Sequence, residues 1–291
     1  MSGGGHPPQV LYPHSMPQGR VGRGLRLVRL SFEVVASRPQ MLLVILGGML
    51  AGLVICGELF WAVFGRAPTA TDFRFPHYLV LLPIVVAGTL ATTFSNFVVA
   101  AMAAAYLRGE PMSTTEAVAL ACRRFGRMVA WTLVAGVVGL VMQIIHDRLK
   151  IGGAIAQWLV GLAWSVLSVF VVPILVLEDV TVTAAIRRSG QLVKRTWGES
   201  VTATGTIGAG LVVVFIPALV VALIVGSVFG AVGVITATVV GLMIFVTLSG
   251  ALGTVVSVAL YSFATTGQAP GPFSRYDLPV YYQPRKKPWE G

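Results

Sequence analysis

Long apolar runs joined by short polar segments set the pattern of this chain. Six runs are long enough to cross a hydrocarbon core, which takes about 20 apolar residues in a helix: 41–64, 78–107, 128–145, 151–177, 201–226 and 233–262. None alternates with the period of two that a barrel strand requires. The joint from His146 to Lys150 is so short that the third and fourth runs are predicted to form an antiparallel hairpin. Two other joints carry helical periodicity of their own. In the first, Ser113-x-x-Glu116 has capping-box spacing, and Val118, Ala121, Cys122 and Phe125 share one side, opposite Glu116, Arg123 and Arg127. In the second, Val182, Ala185, Ile186, Ser189, Leu192, Val193 and Trp197 share a side, and Arg187, Arg188, Gln191, Lys194 and Arg195 oppose them. The pattern predicts an all-α polytopic membrane helix bundle, with six transmembrane helices and two cytosolic amphipathic elbow helices.

The ends read differently. Residues 1–19 are rich in Gly, Pro and His and predict a disordered tail. Over 20–37 an arginine recurs every third position among Leu25, Val28, Phe32 and Val35, which predicts a basic helix on the inner leaflet; Leu27, Leu30 and Val34 lie on its other face, available to pack on protein. The membrane domain then occupies 38–265, and 266–291 form a Pro-, Tyr- and Lys/Arg-containing tail expected to be extended. The first run follows a polar leader and lacks a small-residue cleavage site, so it is expected to be a retained span and not a signal peptide.

Composition strengthens this picture. Apolar residues make up 56% of the 291 residues and charged ones 11%, with a mean hydropathy of +0.83; a soluble domain carries about a quarter charged. The net charge of +10 does not point to nucleic acid, because of where the charges fall. Of 21 basic residues, 17 lie on one side of the proposed spans, and only Arg66, Arg74, Arg148 and Lys150 on the other. This positive-inside asymmetry places both termini in the cytoplasm of a bacterial inner-membrane protein. Cys56 and Cys122 then fall on opposite sides of the bilayer and are not expected to pair.

Candidate chemistry is sparse. Glu58 ends the first run near the outer interface, where it can pair with Arg66, Arg74 or His146 or serve as a buried proton or cation site. Gly88, Thr92, Asn96, Ala100 and Ala104 make a small and polar stripe, and Asn96 is suited to a hydrogen bond across a helix contact. Trp164 and Ser165 fall near mid-membrane, where the indole needs a partner or a polar cavity, and Pro173 frees a backbone carbonyl one turn back. Glu58, Asn96, Trp164 and Ser165 are therefore the candidate intramembrane site. Arg123, Arg124, Arg127, Arg187, Arg188, Lys194 and Arg195 are the candidate contacts for anionic lipid or a partner. Metal-ligand spacings and catalytic motifs are missing, so neither a cofactor nor an enzymatic activity is expected.

Several segments carry a resemblance: Gly161-Leu162-Ala163-Trp164-Ser165, Val171-Val172-Pro173-Ile174-Leu175, Glu178, Trp197-Gly198-Glu199 and, upstream, Ser95-Asn96-Phe97. Over about residues 25–265 the chain resembles an uncharacterised prokaryotic family of six-span integral membrane proteins, a domain of unknown function. It is more loosely similar to the membrane domain attached to bacterial glycerophosphodiester phosphodiesterases, a likeness that implies no chemistry because no catalytic domain is attached. Taken together, these features suggest a non-enzymatic membrane scaffold or accessory subunit that engages anionic lipid, a membrane-protein partner or a second copy of itself. The alternative is a small-solute transporter, channel or lipid-moving protein with a cavity near Asn96, Trp164 and Glu58.

Overall fold

The computed structural model describes residues 20–65, 78–196, 215–216, 219–221, 223–267 and 270–271; at 20–28, 78–80, 146–159 and 195–196 it describes the backbone alone. The elements are α1 (Arg20–Ser37), α2 (Gln40–Phe64), α3 (Tyr78–Arg108), α4 (Thr114–Arg123), α5 (Phe125–Ser168), α6 (Val171–Leu177), α7 (Val182–Thr196) and α8 (Gly230–Thr266). No strand occurs among the described residues. Five segments are long and apolar enough to cross a bilayer: Gln40–Phe64, Leu81–Arg108, Phe125–Ile145, Val160–Leu177 and Gly230–Thr266. They match five of the six expected runs, and the remaining one, 201–226, lies largely outside the described residues. On α2, Leu43, Leu53, Val54, Trp61 and Val63 are each more than half exposed. An apolar surface of that extent suits lipid and not water.

α3 is the hub, touching α2, α4, α5, α6 and α8. Its contact with α2 is the tightest, and glycine permits it. A Cβ on Gly52 would stand 2.6 Å from the Gly88 carbonyl oxygen, and one on Gly88 would stand 2.9 Å from the Gly52 oxygen. The backbones touch because neither position has a side chain, which is how small residues let helices associate where lipid supplies no hydrophobic drive. Gly52 thus meets the Gly88–Thr92 part of the small stripe, while Gly48 meets Ala91 and Ser95 beside it. Farther along α3, Phe97, Val98, Val99, Ala100 and Ala103 are buried in the central core.

α5 is a continuous helical run of 44 residues. Straight, it would extend about 66 Å at 1.5 Å per residue. Yet Trp131 and Trp164 stack with ring centroids 5.6 Å apart, and the Arg124 guanidinium before α5 donates to the Glu178 carbonyl after α6 at 3.1 Å. The chain therefore doubles back between the two tryptophans. The expected hairpin is present, but helical backbone carries on through 146–150 in place of the expected loop.

The returning arm breaks between Ser168 and Val171, where Phe170 closes the gap with φ −97° and ψ −3°. Pro173 has no N–H for the carbonyl one turn back, so the helix is weakest here. Ser189 of α7 repairs the break: the Phe170 N–H donates to its Oγ at 3.4 Å, and its hydroxyl donates to the Leu167 carbonyl at 2.5 Å. Ser189 is fully buried, as is Ala185, and Val182 and Leu192 lie on the same side. The face of α7 expected to rest in lipid is therefore packed on α5 and α6.

On α1, Leu30 and Val34 are buried, as expected of the face available to protein, and Phe32 on the other face is exposed; Val35, expected beside Phe32, is buried instead. On α4, Ala117 and Ala121 are buried, but Cys122 and Phe125 are exposed. For Phe125 the single wheel fails because Arg124, at φ −96° and ψ 8°, separates α4 from α5. The capping box is present as expected: the Glu116 N–H donates to Ser113 Oγ at 3.2 Å, and the Ser113 N–H donates to Glu116 Oε2 at 2.7 Å.

Candidate functional site: a polar knot at the basic end

The ends of four elements meet around Glu178 and Asp179, just past α6. The Tyr261 hydroxyl, from α8, donates to Glu178 Oε1 at 2.5 Å. Arg188 Nε, from α7, pairs with the same oxygen at 3.0 Å. Arg124 and Arg127, on either side of the α4–α5 junction, donate to the Glu178 carbonyl at 3.1 and 3.2 Å. Both also pair with Asp179 Oδ1, Arg124 at 3.1 Å. The Glu178 side chain is 17% exposed and that of Asp179 78%. The glutamate is thus the buried centre and the aspartate the solvated flank.

The local folding follows from the sequence. α6 ends at Glu178, whose extended backbone (φ −109°, ψ 155°) turns the chain out of the helix and leaves its carbonyl without a helical donor. Two guanidiniums supply the missing donors. Three arginines face two carboxylates, so the knot keeps a net positive charge. It clamps the returning arm of the hairpin to its outgoing arm and both of these to α7 and α8. Such a hydrogen-bonded cluster fixes geometry, because each buried charge has a partner.

The knot absorbs three of the seven basic candidates: Arg124, Arg127 and Arg188 are structural ties. Arg123, Arg187 and Lys194 are exposed and have no acidic partner among the described residues. The Arg195 side chain lies outside the described residues.

The intramembrane candidates do not converge. Glu58 is exposed on α2, and its expected partners Arg66, Arg74 and His146 have no described side chains. Two residues earlier, the Cys56 thiol donates to the Ile84 carbonyl at 3.6 Å, which fixes the level of Glu58 on α3. Asn96 lies 12 residues beyond Ile84, about 18 Å along the helix. Its Oδ1 lies 3.5 Å from Thr254 Oγ1 of α8, whose hydroxyl donates to the Gly250 carbonyl at 2.8 Å, so the two helices touch at Asn96. Trp164 is partly buried and finds its partner in the stacked ring of Trp131, while Ser165 is exposed. No common cavity joins these residues among the described ones.

Sequence reasoning missed the Trp131 and Tyr261 partnerships. The first was within reach: reflection about the middle of 146–150 places Trp131 opposite Ser165, next to Trp164. Nothing local to Tyr261 marks it, since its partner stands 83 positions away.

The model of a family of unknown function, DUF6159, matches residues 76–271, well over half of the chain. The chain belongs to this family. No curated protein and no solved structure matches it. The DUF6159 match spans α3 to α8, so the knot, the Asn96 contact and the tryptophan pair all fall within it. α1, α2 and Glu58 precede it, so the match begins later than the sequence resemblance does. An uncharacterised family is what that resemblance implied, and the phosphodiesterase likeness gains no support from the comparisons.

Proposed function

We propose that this DUF6159 protein is a non-enzymatic, six-span integral protein of the bacterial cytoplasmic membrane, whose cytosolic end recruits anionic lipid or the acidic surface of a membrane partner. The run 201–226 supplies the additional span, and α4 and α7 act as the elbows of that end. The observation that carries this reading is the division among the arginines. Part of the basic set is consumed by the knot, while Arg123, Arg187 and Lys194 remain exposed beside it on helices whose other faces are buried. A cation held by a rigid element near the headgroups attracts anionic lipid by about 1 kcal/mol.

The test is replacement of Arg123, Arg187 and Lys194 together by Gln in the full chain, followed by native mass spectrometry from mild detergent. Fewer retained anionic lipids, or loss of a co-purifying protein, is expected while the melting temperature holds. An unchanged set of bound species rules the reading out.

A further inference from the structure

We propose that the lateral groove between α2, α3 and the start of α5 seats one acyl chain of an anionic phospholipid from the cytosolic leaflet, with its phosphate held by Arg123. The inference rests on the membrane reading above and names one specific lipid site within it. The groove has a volume of about 410 Å³. Gly47, Gly48 and Ala51 form its floor on α2, and Phe94, Phe125 and Met128 flank it. A Cβ built on Gly47 meets nothing within 4 Å, so the missing side chain is what opens the groove. Its polar member, Ser95, already donates to the Ala91 carbonyl at 3.2 Å, which leaves an apolar wall. At the ~30 Å³ a water occupies, a similar volume for each methylene gives room for about a dozen.

The described residues of the run 201–226 pack elsewhere. Gly226 and Leu219 pack against Gly233 and Gly241 of α8, and α8 meets α3 at Asn96. Ala87 and Phe94, on the groove side, lie about 160–180° around α3 from Asn96 at 100° per residue. The groove therefore opens away from α8, on segments apolar enough to face hydrocarbon.

α4 leads into the first turn of α5, which lines the groove through Phe125 and Met128. Thr114 Oγ1 donates to Gln40 Oε1 at 3.3 Å at the start of α2, and α4 ends at Arg123, two residues before Phe125. Arg124 and Arg127 are committed to Asp179, whereas Arg123 is exposed with no acidic partner among the described residues. Lipid tails are as apolar as the helix surface, so an acyl groove gains little selectivity by itself. The selecting force is the pairing of Arg123 with the phosphate.

The experiment uses the full chain in mild detergent, titrated with phosphatidylglycerol and phosphatidylcholine of identical chains and read by native mass spectrometry. One preferentially retained phosphatidylglycerol is expected. Arg123→Gln should weaken it about fivefold and leave phosphatidylcholine unchanged. Gly47→Leu, which fills the groove, should weaken both lipids by about fivefold or more while far-UV circular dichroism and melting stay as in the parent. Retention unaltered in both variants overturns the site, as does a Gly47→Leu variant that changes the oligomer mass instead, since a second copy would then be the occupant. Arg187→Gln with Lys194→Gln separates the two ideas. If that pair lowers anionic-lipid binding while Arg123→Gln and Gly47→Leu do not, the basic-end reading stands and the groove falls.

Discussion

Replacing Glu178 with Gln tests whether the knot is one cooperative unit. The substitution keeps the shape and an oxygen to accept from Tyr261, but it removes the charge that strengthens that bond and the pair with Arg188. A buried hydrogen bond to a charged group contributes about 1.5–3 kcal/mol, against about 1 for a neutral one. The Arg188 side chain is half exposed, so its pair adds at most about 1 kcal/mol. Arg124 and Arg127 still hold the Glu178 carbonyl, so the backbone at the end of α6 stays in place. The loss should therefore be about 2 kcal/mol in total. For a chain of this size that corresponds to a melting temperature lower by about 4–8 °C. Tyr261→Phe should cost about 1.5 kcal/mol, since it removes the other partner of the same bond. The discriminating measurement is the double-mutant cycle, read by thermal or SDS-driven unfolding in micelles. The double variant should fall short of the sum by about 1 kcal/mol or more. Additivity within about 0.5 kcal/mol would mean that Glu178 and Tyr261 act independently, and the knot would then be a set of separate contacts.

Three further outcomes follow from the packing. Gly52→Ala should destabilise the α2–α3 contact by about 1–3 kcal/mol, because its Cβ meets the Gly88 carbonyl. Gly47→Ala, five residues earlier, should be neutral or gain about 0.5 kcal/mol from helix propensity, and equal effects of the two in the same unfolding assay would refute the close-contact reading. Ser189→Ala should cost about 1–3 kcal/mol by taking the donor from the Leu167 carbonyl at a buried site, a loss to be read in the same unfolding assay. The Ser113 N–H and hydroxyl hold the Glu116 carboxyl below its ordinary range. A carboxyl depressed in the folded state contributes stability above its unfolded value and loses it as pH falls through the folded one. The first turn of α4 should thus exchange faster as pH drops below the usual carboxylate range, a dependence that Glu116→Gln removes.

The bundle is legible in the sequence wherever one run decides its own fate. Run lengths mark five of the membrane-length segments, and the Gly48–Gly52 spacing announces a close contact. Ser113 and Glu116 spell out their cap. What could not be read is the partner each face chooses. The apolar side of α7 satisfies a bilayer and a protein groove equally well by composition. Only the break between Ser168 and Val171, where Ser189 bonds the Phe170 N–H and the Leu167 carbonyl, decides for protein. The α4 wheel failed at Phe125 for a related reason: it ran through Arg124, where the helix stops. The polar candidates Glu58 and Asn96 shared a chemistry but not a level in the bundle, and residue type carries no information on depth across different helices.

The basic residues show why charge placement and charge use are separate questions. The positive-inside asymmetry counts every arginine alike, and it is read before any tertiary structure exists. Folding then sorts the same residues. Those at α-helix junctions, Arg124 and Arg127, meet a carbonyl that helix termination has stripped of its donors, and Arg188 meets a glutamate that α8 has half enclosed. These become ties whose removal should cost stability. Arg123, Arg187 and Lys194 stand one or a few positions away on faces turned from the core, so their removal should leave stability alone and change only what binds. A neutralising scan across all six therefore separates architecture from recognition: melting should respond to the first three and bound species to the second three, and any residue that moves both would show that the two sets are coupled through the knot.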